Sequence, residues 1–284
     1  MTYEARVPGP PLNAYIDWLY YADGPMPYPC ERILPYPQID LKINLGSALQ
    51  VYGPDGDRTI ADCSESWCLG LWERHHVVNW PETTRFIGVS FKPGGAHPFF
   101  PIPLSQIHNQ VVPLNAIWGP IATEIRDRIC SAPTRQARFD LLETVLCDRL
   151  QDASSERAKG TRIVEAALDE ISIRRGVLSI RGLSEHLNVS HKHLIALFNR
   201  AVGATPKEMA RLHRFRHVLA SIEPRGPVDW TEIAHQSRYF DQSHFNNDFK
   251  AFTGHTPTSY LNLRRHVDAE RPEHASYLRE LPEA

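Results

Sequence analysis

Phe198-Asn-Arg-Ala-Val-Gly203-Ala-Thr205-Pro206 returns further along the chain as Phe249-Lys-Ala-Phe-Thr-Gly254-His-Thr256-Pro257. The spacing Phe-x4-Gly-x-Thr-Pro is the same in both copies. Each copy is a set of instructions to the backbone. The Phe packs the last turns of a helix. The Gly takes the left-handed conformation that ends it, which a side chain would resist. The Thr hydroxyl caps the next helix, and the Pro occupies its first position, where no amide hydrogen is required. In the first copy Glu208 follows Thr205 by three, the spacing of a capping box.

The layouts upstream of the two signatures also agree. In the first, Leu183, Leu187 and Val189 are apolar, Ser190 is a capping residue, and Leu194 and Phe198 follow four apart. In the second, Ile233, Ala234 and Tyr239 precede Asp241 as cap, and Phe245 and Phe249 are again four apart. Each unit therefore reads as a short helix, a tight turn and a second helix with a buried stripe, the helix-turn-helix layout. One such pattern is equally an ordinary helical hairpin; two with a common exit are far more specific. Between them Pro206–Ile222 carries Met209, Leu212, Phe215, Leu219 and Ile222 on one side, a helix suited to fixing the distance between the units.

Outward from this repeat, residues 161–266 read as an all-helical domain, followed by an acidic tail over 267–284. Polar, small Gln151–Gly160 reads as a linker, placed at 153–160. Residues 1–152 form the other domain. Its first 120 residues are dense in proline and glycine with short alternating stretches between them. In Asp40-Leu-Lys-Ile-Asn-Leu-Gly46, Leu41, Ile43 and Leu45 alternate with polar residues, the period of a half-buried strand. The predicted fold is mixed: an N-terminal antiparallel β-barrel or double-sheet, cupin-like domain with trailing helices, and an all-α C-terminal domain with two helix-turn-helix units. The trailing stripe Phe139, Leu142, Leu146, Leu150 suits either a dimer seam or packing on the β-domain.

Composition narrows the class. Hydrophobic residues make up 42% and charged residues 23% of 284, so a core is available. No apolar run approaches a bilayer span, which argues against a membrane partner. The start, Met1-Thr-Tyr-Glu-Ala-Arg-Val-Pro, lacks the apolar run of a secretory signal. Five irregularly spaced cysteines suit reduced thiols and a cytoplasmic location. Residues 1–159 carry 14 Lys/Arg against 18 Asp/Glu, whereas residues 160–266 carry 15 against 10. The basic excess falls on the helical region, a mild pointer to an anionic partner.

The region from about Arg174 to Leu263 resembles the DNA-binding domain of the AraC/XylS family of transcription regulators. The strongest run is Asp241-Gln-Ser-His-Phe-Asn-Asn-Asp-Phe-Lys-Ala-Phe-Thr-Gly-His-Thr-Pro257, and the first unit is matched by Leu183-Ser-Glu-His-Leu-Asn-Val-Ser-His-Lys-His-Leu-Ile-Ala-Leu-Phe198. Arg32–Gly46 and Gly88–Gly95 resemble segments of the β-rich sensory domains carried by some members. Two turn residues depart from the pattern: Asn188 and Arg238 stand where the family usually has Gly, and Ser184 replaces a usual Ala.

The resemblance implies double-stranded DNA as partner, with activation of transcription as the family's typical role. The buried stripe of each second helix fixes the exposed one. In the first unit His191, Lys192, Ile195, Ala196 and Asn199 face outward. The family's base-reading positions map onto Lys192, Ile195 and Ala196, the apolar pair suiting thymine methyls. In the second, Gln242, Ser243, Asn246, Asn247 and Lys250 fall on the open face, with Asn and Gln suited to adenine and Lys to guanine or phosphate. Arg181, Ser190, Arg200 and Thr231 are candidates for phosphate. A small-molecule effector is expected in the β-domain. Trp18, Tyr20, Tyr21, Tyr28, Trp67, Trp72, Trp80, Phe86 and Phe91 are plentiful there, though a plain core would use them equally. Arg32, Tyr36, Lys42, Trp72 and Phe91 are the candidate ligand contacts. RNA polymerase and a second copy of the chain are further partners the family suggests.

Enzymatic readings fare worse. Cys63-x4-Cys68 with His75, His76 and His97 matches no closed zinc pattern, and the β-region has no His-x-His of a cupin metal site. No Gly-x-Ser-x-Gly elbow frames a serine, and Lys92-Pro-Gly-Gly-Ala lacks the spacing of a phosphate loop. The expectation is a non-enzyme with neither cofactor nor metal.

Overall fold

A computed structural model describes residues 1–56, 58–152, 161–270 and 280–282. The linker expected at 153–160 lies outside the described residues, as do 271–279 of the acidic tail.

The N-terminal domain is two antiparallel sheets. Its strands are β1 (Thr2–Arg6), β2 (Ile16–Gly24), β3 (Cys30–Ile33), β4 (Asp40–Asn44), β5 (Leu49–Tyr52), β6 (Thr59–Cys63), β7 (Ser66–Leu69), β8 (His76–Asn79), β9 (Thr84–Phe91) and β10 (Val111–Pro113). The first sheet runs in the order β1-β2-β9-β4-β7-β10. The second runs β3-β8-β5-β6 and gains a further edge strand described below. Three helices trail: α1 (Leu114–Trp118), α2 (Ile121–Ser131) and α3 (Arg135–Gln151).

Strand parity divides this domain into two cores. On β9, Ile87, Val89 and Phe91 face the trailing helices, in a cluster with Phe99, Trp118, Ile129 and Phe139. Gly88 and Ser90 lie between them on the opposite face, and Phe86 belongs to the second cluster, between the two sheets, with Tyr20, Trp67, Val78 and Trp80. The α3 stripe is accounted for the same way. Phe139, Leu142 and Leu146 are fully buried in the first core, and Leu150 packs at its margin. Of the two uses open to that stripe, packing on the β-domain is the one taken.

The C-terminal domain comprises α4 (Thr161–Ile173), α5 (Ile180–His186), α6 (His191–Ala201), α7 (Pro206–Ala220), α8 (Trp230–Gln236), α9 (Gln242–Thr253) and α10 (Pro257–Glu270). The repeated signature forms as its residues dictate. Gly203 and Gly254 have φ of +89° and +77°. The Thr205 hydroxyl accepts from the Glu208 amide at 3.3 Å and the Glu208 carboxylate accepts from the Thr205 amide at 2.6 Å, closing the capping box. Thr256 accepts from the Ser259 amide at 3.2 Å. One hydrophobic cluster runs through α4 to α10, so the units share a core rather than hanging on a rod. At its centre Phe215 of α7 stacks on Phe252 of α9 with ring centres 4.4 Å apart.

Two boundaries differ from expectation. Helix α10 continues to Glu270, past the limit drawn at 266, because Val267 is buried and Asp268 pairs with buried Arg264 at 3.4 Å. The tail is also not merely an acidic appendage. Glu280–Pro282 forms β11, which pairs antiparallel with β3, and Leu281 is fully buried.

Candidate nucleic-acid interface

Each second helix is held by a capped start and a buried stripe. Ser190 accepts from the His193 amide at 3.1 Å at the head of α6. Asp241 does the same for the His244 amide at 2.7 Å at the head of α9. Leu194 and Phe198 anchor α6; Phe245, Phe249 and Phe252 anchor α9. The faces left over carry the expected residues. On α6, His191, Lys192 and Ala196 are exposed and Ile195, Asn199 and Arg200 half-buried. On α9, Gln242, Ser243, Asn246, Asn247 and Lys250 are all exposed. Arg181, Ser190 and Thr231 are exposed near the helix starts, with Arg181 engaged to Glu185 at 3.0 Å.

The turns absorb the two departures from glycine. Asn188 and Arg238 both have positive φ, 53° and 55°. The geometry of the turn is thus kept, and the conformational strain on Arg238 is tolerated.

Behind the exposed faces the β-domain packs on α7 and on the C-terminal ends of α6 and α9. The Arg32 guanidinium donates to the Thr253 carbonyl at 3.0 Å, and the His75 amide donates to the Phe252 carbonyl at 3.1 Å. Glu73 accepts a hydrogen bond from His108 at 2.8 Å and stands 3.6 Å from Arg211 of α7. Arg211 also grips Asp248 of α9 at 2.6 Å, and the Tyr239 hydroxyl donates to the same carboxylate at 3.2 Å. Burial tends to lower the His108 pKa, but the Glu73 hydrogen bond and the Glu73 and Glu208 charges outweigh it and raise it. The same hydrogen bond lowers Glu73 against the opposing effect of burial. Glu73, His108 and Glu208 also lie close enough to hold a cation. Their charges are already met by each other, by Arg211 and by the capping box.

Between the sheets lies a cavity of about 510 Å³. Seven of the nine N-terminal aromatics singled out from sequence line it: Trp18, Tyr20, Tyr28, Trp67, Trp72, Trp80 and Phe86. Tyr36, Lys42 and Trp72 of the candidate contacts are there too. Lys42 Nζ sits 5.0 Å from the Phe86 ring centre and 5.6 Å from that of Trp80, whose Nε1 donates to Glu31 at 2.9 Å. Arg32 and Phe91 do not belong to the lining. On β3, Glu31 and Ile33 face the cavity, so parity turns Arg32 toward the C-terminal domain. Phe91 falls on the outer face of β9 and is buried against Phe99 and Phe100. Sequence reasoning missed the far wall. Arg216, Leu219 and Ala220 of α7 and Val267 of α10 complete the lining, and the Arg216 guanidinium lies 3.9 Å from the Tyr36 ring centre. No short-range signal joins residues so distant in sequence.

Cys63 and Cys68 sit in different clusters on opposite sides of the first sheet, so they do not form one ligand set. Among the described residues no helix is long and apolar enough to cross a membrane.

Two capped helix pairs sharing a core, with the second helices exposed, define a helix-turn-helix domain of the DNA-binding class. The comparisons agree. A family model described as a helix-turn-helix domain matches residues 183–263, and a domain of unknown function (DUF6597) matches residues 4–113. Residues 183–263 are thus a helix-turn-helix domain of the AraC type. No curated protein matches the chain. Among solved structures, ToxT from Vibrio cholerae is 9% identical, with a TM-score of 0.47 over 86% of this chain and 98% of ToxT. ToxT with a bound unsaturated fatty acid is 10% identical, with a TM-score of 0.43 over 85% of this chain and 93% of that one. Similarity this distant does not extend to ligand or mechanism.

Proposed function

We propose that the protein is a sequence-specific, ligand-responsive transcription regulator acting in the cytoplasm. Helices α6 and α9 enter successive major-groove segments on one face of the duplex, about one helical turn, roughly 34 Å, apart. The observation that carries this reading is the outward face of each helix, exposed on α9 and exposed or half-buried on α6, with the β-domain meeting the far ends of both. Asn246, Asn247 and Gln242 read base edges, Ile195 and Ala196 meet thymine methyls, and Lys192 and Lys250 contact guanine or phosphate. Arg181, Ser190, Arg200 and Thr231 hold register on the backbone without reading sequence.

The cavity supplies the response. Its lining is largely apolar and rich in aromatic rings, with Lys42, Tyr36 and Trp72 joined by the charged Glu31, Asp40 and Arg216 as polar handles, which suits a small, largely apolar effector with a polar group. Because α7 forms part of its wall, an occupant would bias the placement of the DNA-binding domain, provided that it binds the two placements unequally. RNA polymerase and a second copy remain proposed partners; a dimer would need a surface other than the α3 stripe.

Selection of duplexes from a random library, together with genome-wide mapping of bound DNA, tests the reading. Asn247→Ala is expected to change base preference, and Lys192→Ala to weaken binding with a shallower salt dependence. Wild-type behaviour from both variants would show the contacts to be misassigned. A melting screen of small molecules tests the effector, with Trp72→Ala expected to abolish any stabilising hit.

A further inference from the structure

The turn of the second unit, Arg238-Tyr239-Phe240-Asp241, gives two adjacent aromatic residues opposite fates. Tyr239 is 8% exposed, with its ring centre 5.3 Å from that of Phe245. Phe240 is 92% exposed. Every other phenylalanine in residues 161–270 is at most 1% exposed.

The residue preceding a helix cap ordinarily folds over the fourth residue of the helix, fixing the angle at which the chain enters. In the first unit this place belongs to Val189, which packs on the cluster containing Leu194. In the second unit Asp241 is the cap and Phe245 is the corresponding partner. Tyr239 already covers Phe245, so Phe240 is turned out at the head of α9. What surrounds it indicates what covers it. Its neighbours along the chain are polar: Arg238 is exposed two residues before it, the Asp241 carboxylate next to it is engaged by the His244 amide, and Gln242 and Ser243 are exposed in the first turn of α9. An exposed apolar side chain flanked in the chain by a cation, an amide and a hydroxyl is a poor match for a protein core. It matches the major groove, where phosphates and base edges flank one apolar feature, the thymine methyl group.

Resting on the DNA-binding reading above, we propose that Phe240 is a specificity residue that seats on the 5-methyl group of a thymine at the edge of the segment read by α9. The test uses the full chain and the duplex it selects from a random library. Each thymine of that duplex is replaced in turn by deoxyuridine, which removes only the methyl group. At one position deoxyuridine is expected to weaken wild-type binding about fourfold, the effect of one lost buried methyl. The same replacement should leave Phe240→Ala unaffected, and that variant should bind the thymine duplex at least as weakly as wild type binds the deoxyuridine one. Unchanged melting of Phe240→Ala would confirm that the fold is intact. The proposal is overturned if Phe240→Ala selects and binds like wild type, if deoxyuridine affects both chains equally, or if the variant alters only the mass measured by light scattering, which would mark a contact between copies. A wild-type chain that selects no sequence removes the DNA-binding reading itself; selection without methyl dependence removes this proposal alone.

Discussion

Gly203 and Gly254 end their helices in the left-handed region, yet each also stands where the β-domain meets the C-terminal domain. A Cβ on Gly254 would come within 2.1 Å of an Arg32 guanidinium nitrogen and 2.8 Å of a His75 ring carbon. A Cβ on Gly203 would approach the Leu104 carbonyl oxygen at 2.9 Å. The local reason for glycine was readable from spacing; the second reason involves partners about a hundred residues away or more. Gly254→Ala should therefore cost more than backbone strain alone. Arg32 would have to swing away and give up the Thr253 carbonyl. Strain of about 1 kcal/mol and a lost hydrogen bond of about 1 kcal/mol give a destabilisation of about 2 kcal/mol, measurable by denaturant unfolding. Arg238 makes the opposite case. It is exposed, with φ of 55°, and glycine adopts that conformation freely. Arg238→Gly should raise the melting temperature, by the equivalent of up to about 1 kcal/mol. A lower melting temperature would mean that the arginine side chain contributes more than its backbone strain removes.

At the scale of elements, what was legible is what chemistry close in sequence determines. Caps, exits and the apolar spacing of α6, α7 and α9 follow from residues within a turn or two, and the outward faces of the recognition helices follow from their stripes. Strand identity was legible as alternation, but which face met the cavity was not, since parity says that Ile87 and Gly88 point oppositely without saying toward what. That is why Phe91 and Arg32, candidate ligand contacts by sequence, lie outside the cavity lining. The sheet edge formed by β11 was illegible for a different reason: a three-residue strand has no period of its own, and its partner is near the other end of the chain. Its function is still physically plain. β11 comes after α10 and hydrogen-bonds to β3, so the DNA-binding domain is fastened to the β-domain by backbone as well as by side chains. Leu281→Asp would place a charge in a fully buried site and should release the strand. The β3 amides over Cys30–Ile33 that face β11 should then exchange hydrogen faster, while those paired with β8 stay protected. Unchanged exchange along both edges would show that β11 does not hold the sheet.

Over the whole molecule, the second recognition helix is tied to the β-domain by a run of charges: His108 to Glu73, Glu73 to Arg211, and Arg211 to Asp248 on the buried side of α9. The cavity and this run both converge on α7, through Arg216 in one case and Arg211 in the other. The proposed effector and the His108 proton therefore bear on the same helix, α7. The sign of the second effect is fixed. His108 is raised above its ordinary value of 6.5, so its contribution is fully present below that value and fades as pH climbs through the higher folded value. Glu73 is lowered from 4.5, so its contribution is complete above that value and is lost only as pH falls through the lower folded one. The link is consequently firmest between about pH 4.5 and 6.5. His213, half-buried on α7, behaves oppositely: burial first, and then Arg216, lower it to about 4, so its contribution declines as pH falls below 6.5. A single melting curve mixes these trends, but a paired comparison separates them, because His213 is common to both chains. His108→Gln keeps a hydrogen-bond donor toward Glu73 and removes the titration. The melting temperature of wild type relative to this variant should be higher at pH 6 and converge toward it by pH 8. A difference that stays constant over that interval would show that the His108 proton plays no part in holding the two domains together.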